Sequence, residues 1–156
     1  MEREIGSMRY ILKPHEGIGD IALYDNYDHI LNILDNNKIK YRLDIQDNSA
    51  CTVSFNWRII VVEDCLHLYF SEGNYKLFKI SVENNKDIIL PNSIHVGMKT
   101  DDALKIDQSL KFNDWDEIYE SGNDYYLEDS LITGNIESLN IYIKELDDDD
   151  FDYCRW

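Results

Sequence analysis

The sequence has 156 residues, 44% of them hydrophobic, which suffices for one domain with a buried core. Its 31 acidic side chains outnumber the 15 basic ones and give a formal net charge of −16. Such a charge repels nucleic acids and anionic membranes and attracts basic partners, so the composition argues against nucleic-acid and membrane binding. The imbalance is uneven, because residues 1–78 contain 12 acidic and 8 basic side chains, whereas residues 79–156 contain 19 and 7.

The cysteines and the apolar segments indicate the compartment. Cys51, Cys65 and Cys154 are sparse and odd in number, which favours a reducing environment over a disulfide framework. The longest apolar run, Ile59–Val62, is too short to cross a bilayer, and the N-terminus has no signal-peptide core. We therefore expect a cytoplasmic protein. Residues 1–7 are interpreted as a leader or a cloning remnant, because Met8 can also start the chain.

The first half of the chain reads as two short strands, a helix and an antiparallel meander. Strands are predicted over Met8–Leu12 and Ile18–Leu23, and a helix over 27–34, where apolar residues recur at helical spacing behind Asp25 or Asn26. From residue 39 the apolar side chains alternate with polar ones, as in half-buried strands. The inward-facing sets are Ile39, Tyr41, Leu43 and Ile45; Cys51, Val53, Phe55 and Trp57; Leu66, Leu68 and Phe70; and Phe78, Ile80 and Val82.

The second half opens on Ser93–Leu104, which predicts a short strand, a turn at Gly97 and a helix capped by Thr100. Residues 21–31 show the same pattern, with Tyr24 in the place of Gly97. The turns Gly73-Asn74 and Gly134-Asn135 also correspond, and each precedes an alternating strand. Further strands are predicted at Lys111–Asn113, Glu117–Glu120, Tyr125–Glu128 and around Leu139, Ile141 and Ile143.

These correspondences predict an α+β fold made of a duplicated strand–helix–antiparallel sheet unit, with two packed antiparallel sheets and two short helices. Repeat 1 covers about 14–82 and repeat 2 about 88–146, within a single domain of residues 8–146. The alternative is that an unduplicated antiparallel α+β domain uses the same turn chemistry twice. We expect residues 147–156 to form an acidic tail that is solvated and poorly ordered on its own.

Acidic and aromatic residues are interleaved in the second half and in the tail. Rigid aromatic side chains supply contact area, and the acidic groups accelerate the encounter with a basic partner, so this composition suits a basic cleft such as a nuclease active site. The candidate partner-binding residues are Asp114, Trp115, Asp116, Glu117, Tyr119, Glu120, Asp124, Tyr125, Tyr126, Glu128, Asp129, Asp147, Asp148, Asp149, Asp150, Phe151 and Asp152.

The many aspartates do not form a recognisable metal-binding motif. Side chains of the consecutive run Asp147–Asp150 fan out from the backbone, and the stretch 107–120 lacks the glycine and the glutamate spacing of a calcium loop. The four histidines show no zinc spacing with the cysteines. We therefore predict no metal, no cofactor and no catalytic residues.

Four segments resemble the small acidic immunity proteins of contact-dependent inhibition and related polymorphic toxin systems. They are Ile94–Leu104, Glu117–Tyr119, Tyr125–Glu128 and Ile141–Leu146. The resemblance covers mainly residues 14–31 and 88–146. It implies a cytoplasmic antitoxin that binds the C-terminal toxin domain of a cognate effector, often a tRNA-cleaving nuclease, and blocks it stoichiometrically. Some members of this group are similar to the two-sheet Whirly-type fold.

From the residues and the resemblance together, the function we predict is an immunity protein whose partner is a basic RNase or tRNase toxin domain. The expected complex contains one monomer of each protein, and neither nucleic acid nor membrane is expected as a partner. The first alternative is a non-catalytic ligand-binding or scaffolding module. The second is a metal-dependent enzyme that uses carboxylates.

Overall fold

The computed structural model describes residues 10–47, 56–122, 124–146 and 149–156, and within them it is an α+β protein of two packed, mostly antiparallel sheets. The strands are β1 (Tyr10–Lys13), β2 (Gly17–Ile18), β3 (Ile21–Ala22), β4 (Tyr41–Asp47), β5 (Asn56–Val62), β6 (Leu66–Ser71), β7 (Leu77–Glu83), β8 (Ile88–Ile89), β9 (Leu110–Asn113), β10 (Ile118–Ser121), β11 (Tyr125–Asp129) and β12 (Ile136–Tyr142). The helices in these ranges are α1 (Tyr27–Asn36), α2 (Thr100–Ile106) and α3 (Asp149–Asp152). The predictions for residues 1–7, for Cys51, Val53 and Phe55, and for Asp147 and Asp148 lie outside the described residues.

The large sheet has eight strands in the order β4-β5-β6-β7-β12-β11-β10-β9. Two four-stranded meanders, one from each half of the chain, meet where β7 pairs antiparallel with β12. The two halves thus share one large sheet, so the prediction of a separate sheet for each repeat was wrong, whereas α1 and α2 each lie within one predicted repeat. Both junction strands carry apolar residues on the same face, so pairing them makes one continuous layer and removes two exposed edges.

The small sheet has the order β3-β2-β1-β8. Its β1–β8 pair is parallel, with Tyr10 opposite Ile88, so this sheet is not wholly antiparallel as predicted. The strand predicted over Ile18–Leu23 is instead a tight hairpin in which Ile18 pairs with Ile21. Within the described ranges, none of the helices combines the length and the apolar character needed to span a bilayer.

A single core joins the small sheet, α1, α2 and one face of the large sheet, which we call the first face. The alternating apolar positions predicted for β6, β7 and β12 supply the centre of this core. The fully buried members on these strands include Leu68, Phe70, Ile80, Val82, Leu139 and Ile141, each with 0% exposure. Leu43 was predicted to face inward but is 56% exposed, because β4 is the outermost strand of the sheet.

A bulge changes the facing of Phe78. The pairing shifts between Tyr69 and Phe70, so that Leu77 lies opposite Phe70 and Lys79 lies opposite Tyr69. Phe78 falls between these pairs, and its ring contacts Trp57 with a centroid distance of 6.0 Å. The prediction that Phe78 faces the same side as Ile80 was therefore wrong.

The two long helices begin differently. Asn26 caps α1, because its side-chain Oδ1 accepts a hydrogen bond from the Asp28 amide at 2.9 Å. The N-cap of α2 is Lys99, and no side-chain hydrogen bond caps this helix. The predicted cap, Thr100, is buried and donates its hydroxyl to the Asp129 carboxylate at 2.9 Å and to the Gly134 carbonyl at 3.0 Å. Thr100 thus fastens α2 to the large sheet.

The described part of the tail, residues 149–156, packs against the protein. Phe151 is 8% exposed, and its ring lies 5.0 Å from that of Phe78 and stacks on Trp156 at 5.7 Å. The main-chain oxygen of Trp156 accepts hydrogen bonds from the side chains of Asn74 at 3.2 Å and Lys76 at 3.1 Å. The expectation of a solvated tail was wrong for Phe151 and Trp156, because their rings pack on an aromatic cluster of the sheet, whereas Asp149, Asp150, Tyr153 and Arg155 are exposed.

Candidate partner-binding surface

The face of the large sheet that points away from α1 and α2, here called the second face, has a polar floor. Ser81, Ser138 and Asn140 on the central strands β7 and β12 are 4%, 3% and 0% exposed. Ser81 donates to the Asn140 carbonyl, the Asn140 amide donates to Ser138 Oγ at 2.9 Å, and Ser138 donates to Glu128 Oε1 at 2.8 Å. These buried side chains satisfy one another's hydrogen bonds and form an ordered polar layer at the centre of this face.

Lys79 lies in the middle of the second face between two tyrosine rings. Its Nζ is 4.9 Å from the ring centroid of Tyr69 and 5.2 Å from that of Tyr126, which are cation–π distances. Burial lowers the pKa of Lys79, and the nearby carboxylates of Glu128 and Glu83 oppose that change. Burial also raises the pKa of the Tyr69 and Tyr126 hydroxyls. The centre of this face thus combines aromatic rings, one cation and surrounding carboxylates.

Beside Lys79 the second face contains a cavity of about 310 Å³, which we call the tyrosine pocket. Its lining side chains are acidic, aromatic or aliphatic: Asp116, Ile118, Glu120, Tyr126, Glu128, Tyr142 and Leu146. The rings of Tyr126 and Tyr142 lie 5.9 Å apart at a tilt of 35°. Four of the predicted partner-binding residues, Asp116, Glu120, Tyr126 and Glu128, therefore come together here.

Next to the pocket, one end of the large sheet exposes large apolar side chains. Trp115 in the β9–β10 turn is 93% exposed, and Leu131 and Ile132 in the β11–β12 turn are 90% and 96% exposed. Both turns lie at the same end of the sheet, because β9 and β11 each pair antiparallel with β10. Apolar side chains so exposed add nothing to the core, and their grouping is typical of an interaction site. We call Asp114–Glu117 with Leu131 and Ile132 the turn surface.

The predicted acidic residues of the β9–β10 turn are all on this surface. Asp114, Asp116 and Glu117 are exposed beside Trp115. Asn113 organises the turn, because its Oδ1 accepts hydrogen bonds from the amides of Trp115 at 2.9 Å and Asp116 at 3.3 Å. The turn therefore holds an exposed tryptophan among three carboxylates.

Four other predicted residues lie elsewhere. Tyr125 is 4% exposed and faces the core, where its hydroxyl donates to the Asp107 carboxylate; burial and that carboxylate raise the pKa of Tyr125 to about 12. Tyr119 also faces the first side of the sheet and packs on Phe112 at 5.0 Å. Tyr125 is thus corrected to a core residue, because its buried ring offers a partner no surface.

Asp124 and Asp129 already have contacts within the chain. Asp124 Oδ1 lies 3.0 Å from Nε2 of His15 and links the β10–β11 turn to the loop after β1. Asp129 accepts the hydroxyl hydrogen bond of Thr100. Neither carboxylate lines the tyrosine pocket. Both residues connect other segments of the chain through these contacts.

In the tail, the structure separates the predicted residues into buried and exposed groups. Phe151 is corrected from a partner contact to a buried residue, because its ring packs between Phe78 and Trp156. Asp149 and Asp150 are exposed at the start of α3, and the carboxylate of Asp150 lies 3.1 Å from Nε of Arg155. Asp152 is the last residue of α3.

The sequence prediction missed the polar floor, Lys79 and Tyr142. The signal was present, because these residues alternate with the inward-facing Ile80, Val82, Leu139 and Ile141. β7 and β12 are central strands with a neighbour on each side, so their second-face side chains lie next to those of adjacent strands and form a continuous surface.

Within the described ranges, no three side chains among His, Cys, Asp and Glu lie in a group that could hold a metal ion. Cys65 is buried, and burial raises the pKa of its thiol. Comparison of the chain with protein-family models, with curated proteins and with solved structures gave no match.

Proposed function

We propose that this protein is a cytoplasmic immunity protein that binds and neutralises the C-terminal nuclease domain of a cognate toxin, an RNase or tRNase, as one monomer of each. The observation that carries the proposal is the convergence of Asp116, Glu120, Tyr126 and Glu128 on one pocket beside the exposed Trp115. The net charge of −16 and the resemblance of the sequence to immunity proteins support it.

The chemistry of a nuclease explains why such a surface suits it as a partner. A nuclease binds its substrate through a basic cleft that contacts phosphates. Carboxylates on the inhibitor attract that cleft from a distance and accelerate association, whereas aromatic and apolar side chains hold the complex once formed. The tyrosine pocket and the turn surface adjoin at Asp116, and together they supply both kinds of group.

The proposal expects a toxin gene beside the gene of this protein, and the test mixes the protein with the C-terminal domain of that toxin and follows RNA cleavage. We expect cleavage to stop at a 1:1 ratio. The double variant Asp116→Lys/Glu117→Lys is expected to associate roughly tenfold more slowly at low salt and with a weaker salt dependence. The control Glu16→Lys/Asp20→Lys makes the same charge change on exposed residues outside the proposed surface.

Undiminished RNA cleavage in the stoichiometric mixture would overturn the proposed function. Equal association rates for the two double variants would place the interface away from the turn surface.

We infer further that the chain arose by duplication of a strand–helix–meander unit. Support comes from the segments before α1 and α2, which make equivalent main-chain hydrogen bonds to the start of the fourth strand of each meander. The amide of Tyr24 donates to the carbonyl of Leu77, and the equivalent bond in the second half runs from the Gly97 amide to the Ile136 carbonyl, both at 2.8 Å. The amide of Tyr27 donates to the carbonyl of Tyr75 at 2.9 Å, and its equivalent runs from the Thr100 amide to the Gly134 carbonyl at 3.0 Å.

The backbone conformations agree with this alignment. Tyr24 and Gly97 have φ values of 71° and 88°, and Tyr75 and Gly134 have 56° and 72°. A positive φ is natural for glycine and uncommon for tyrosine, so the first unit retains the shape without the residue that favours it. This register matches Gly134 with Tyr75, so the predicted correspondence of Gly73-Asn74 with Gly134-Asn135 was wrong by two residues. Sequences of relatives are expected to align residues 14–82 with 88–146 in the register of these hydrogen bonds, and any other register would contradict the duplication.

A further inference from the structure

The tyrosine pocket contains the groups that a guanidinium ion needs. Tyr126 and Tyr142 provide ring surfaces, and Ile118 and Leu146 provide apolar walls for an aliphatic stem. The three carboxylates in the lining are Asp116, Glu120 and Glu128. A guanidinium group stacks on aromatic rings and donates paired hydrogen bonds to carboxylates, and its three-carbon stem packs on apolar surface.

In the part of the chain that the structure describes, the carboxylates of the pocket accept hydrogen bonds from neutral donors. Asn113 Nδ2 donates to Asp116 at 3.3 Å and to Glu120 at 3.4 Å, and Ser138 donates to Glu128 at 2.8 Å. Among the described residues, none of these three carboxylates forms an ion pair. Lys79 is the nearby cation and stacks over Tyr126 without an ion pair in the described structure, so the carboxylates outnumber it three to one.

The chain itself contains an occupied site of the same composition. The guanidinium of Arg58 lies 5.6 Å from the ring centroid of Tyr27 and 5.2 Å from that of Tyr75, and its Nε lies 3.2 Å from a carboxylate oxygen of Glu72. Two tyrosines and one glutamate thus surround an arginine side chain within this protein. The tyrosine pocket offers two tyrosines and three carboxylates.

We propose that the tyrosine pocket binds one arginine side chain presented by the partner protein. The identity of that partner rests on the proposed function, whereas the choice of arginine rests on the chemistry of the pocket. Lysine is the weaker ligand, because its ammonium is a strongly hydrated point charge that cannot stack or bind a carboxylate through two parallel hydrogen bonds.

The experiment uses three capped tripeptides, Gly-Arg-Gly, Gly-Lys-Gly and Gly-citrulline-Gly, titrated into the ¹⁵N-labelled full chain and followed by NMR. Citrulline keeps the shape of arginine without its charge. We expect the arginine peptide to shift the amide resonances of Glu120, Tyr126, Glu128 and Tyr142. The lysine peptide is expected to bind roughly fivefold more weakly, and the citrulline peptide to cause no saturable shift.

The double variant Asp116→Asn/Glu120→Gln removes two charges while keeping the side-chain shapes, and its spectrum reports whether the fold is intact. It is expected to weaken binding of the arginine peptide about tenfold or more. The control Glu16→Gln/Asp20→Asn removes the same charge elsewhere and is expected to leave binding unchanged.

Absent shifts, shifts spread evenly over the acidic surface, or equal binding of the arginine and lysine peptides would each overturn the arginine pocket. The titration contains no nuclease, so such a failure leaves the RNA-cleavage assay as a separate test of the proposed function. Conversely, specific arginine binding combined with undiminished RNA cleavage would retain the pocket and reject the toxin as partner.

Discussion

Asp107 is the residue that ties α2 to the second meander. Its carboxylate accepts hydrogen bonds from the Ser109 hydroxyl at 2.6 Å, the Ser121 hydroxyl at 3.0 Å and the Tyr125 hydroxyl. Burial acts to raise the pKa of Asp107, but these hydrogen bonds outweigh it and hold the pKa below its ordinary value. The ionised carboxylate therefore stabilises the fold.

Replacement of this carboxylate by an amide tests that role. Asp107→Asn is expected to lower the free energy of unfolding by roughly 1–3 kcal/mol at neutral pH, because charged hydrogen-bond acceptors are replaced by a weaker one. Urea denaturation measures the loss. Asp114→Asn, at an exposed position, is the matched control and is expected to stay within about 0.5 kcal/mol of the original protein.

The pH dependence of this difference has a definite sign. A lowered carboxylate pKa contributes stability that is complete above the unfolded value of about 3.9 and is lost as the pH falls through the folded value. The stability gap between the original protein and Asp107→Asn should therefore close in acid. A gap that stays constant into strong acid would contradict the assignment.

At the scale of elements, the docking of α3 depends on Phe151. Its ring fills the space between Phe78 and Trp156, whereas the neighbouring Tyr153 is 72% exposed. Phe151→Ala is expected to cost about 1–3 kcal/mol, less than the roughly 3–5 kcal/mol of a central core phenylalanine, because the tail can detach without unfolding the sheet.

Urea denaturation and limited proteolysis of the C-terminal segment measure the two consequences together. Phe151→Ala should shorten the lifetime of that segment under protease, while Tyr153→Ala should leave both measurements unchanged. Equal effects of the two substitutions would show that the ring of Phe151 does not hold the tail.

At the scale of the whole molecule, the β7–β12 junction joins the two meanders. Ile80 and Ile141 are paired across it, and both have 0% exposure. Ile141→Ala is expected to lower the free energy of unfolding by about 2–5 kcal/mol, because it removes buried methyl groups shared by both halves. Ile132→Ala removes the same side chain at a position that is 96% exposed and serves as the control.

The junction also predicts cooperative unfolding. Trp57 and Trp156 pack on Phe78 of the first half, whereas Trp115 is 93% exposed, so the tryptophan fluorescence reports mainly on the first half and the far-ultraviolet circular dichroism on the strands of both halves. We expect coincident transitions in the original protein and in Ile141→Ala. Two separated transitions would mean that the halves are stable independently.

The alternation of apolar and polar residues allowed strands and core positions to be predicted where one face of the strand is apolar and the other is polar. Leu66, Leu68 and Phe70 alternate with polar residues, and all three are buried as expected. The side to which Phe78 points could not be predicted. Phe78 is the extra residue of a β-bulge, and the position of that bulge depends on how β6 and β7 pair and not on the local sequence.

The candidate surface was predictable only in part for the same physical reason. The sequence identified four of the pocket residues by their acidic and aromatic character, namely Asp116, Glu120, Tyr126 and Glu128. Tyr142 could not be assigned to the same pocket from the sequence, because it reaches the others only through the pairing of β11 with β12. Tyr125 is adjacent to Tyr126 and points to the opposite face, because side chains alternate along a strand. Composition identified the segment, and strand register decided which of its residues share the pocket.

The β7–β12 pairing has a consequence for how the protein is made. During synthesis, β7 emerges long before β12, so its outer edge has no neighbour in the large sheet until the strand beginning at Ile136 leaves the ribosome. Pairing between strands so far apart in the chain forms slowly, and an open apolar edge can capture another nascent chain in the meantime. The β7–β12 pair at the centre of the finished sheet is thus the last pair to form. Newly synthesised chains are therefore most prone to mispairing at the edge of β7.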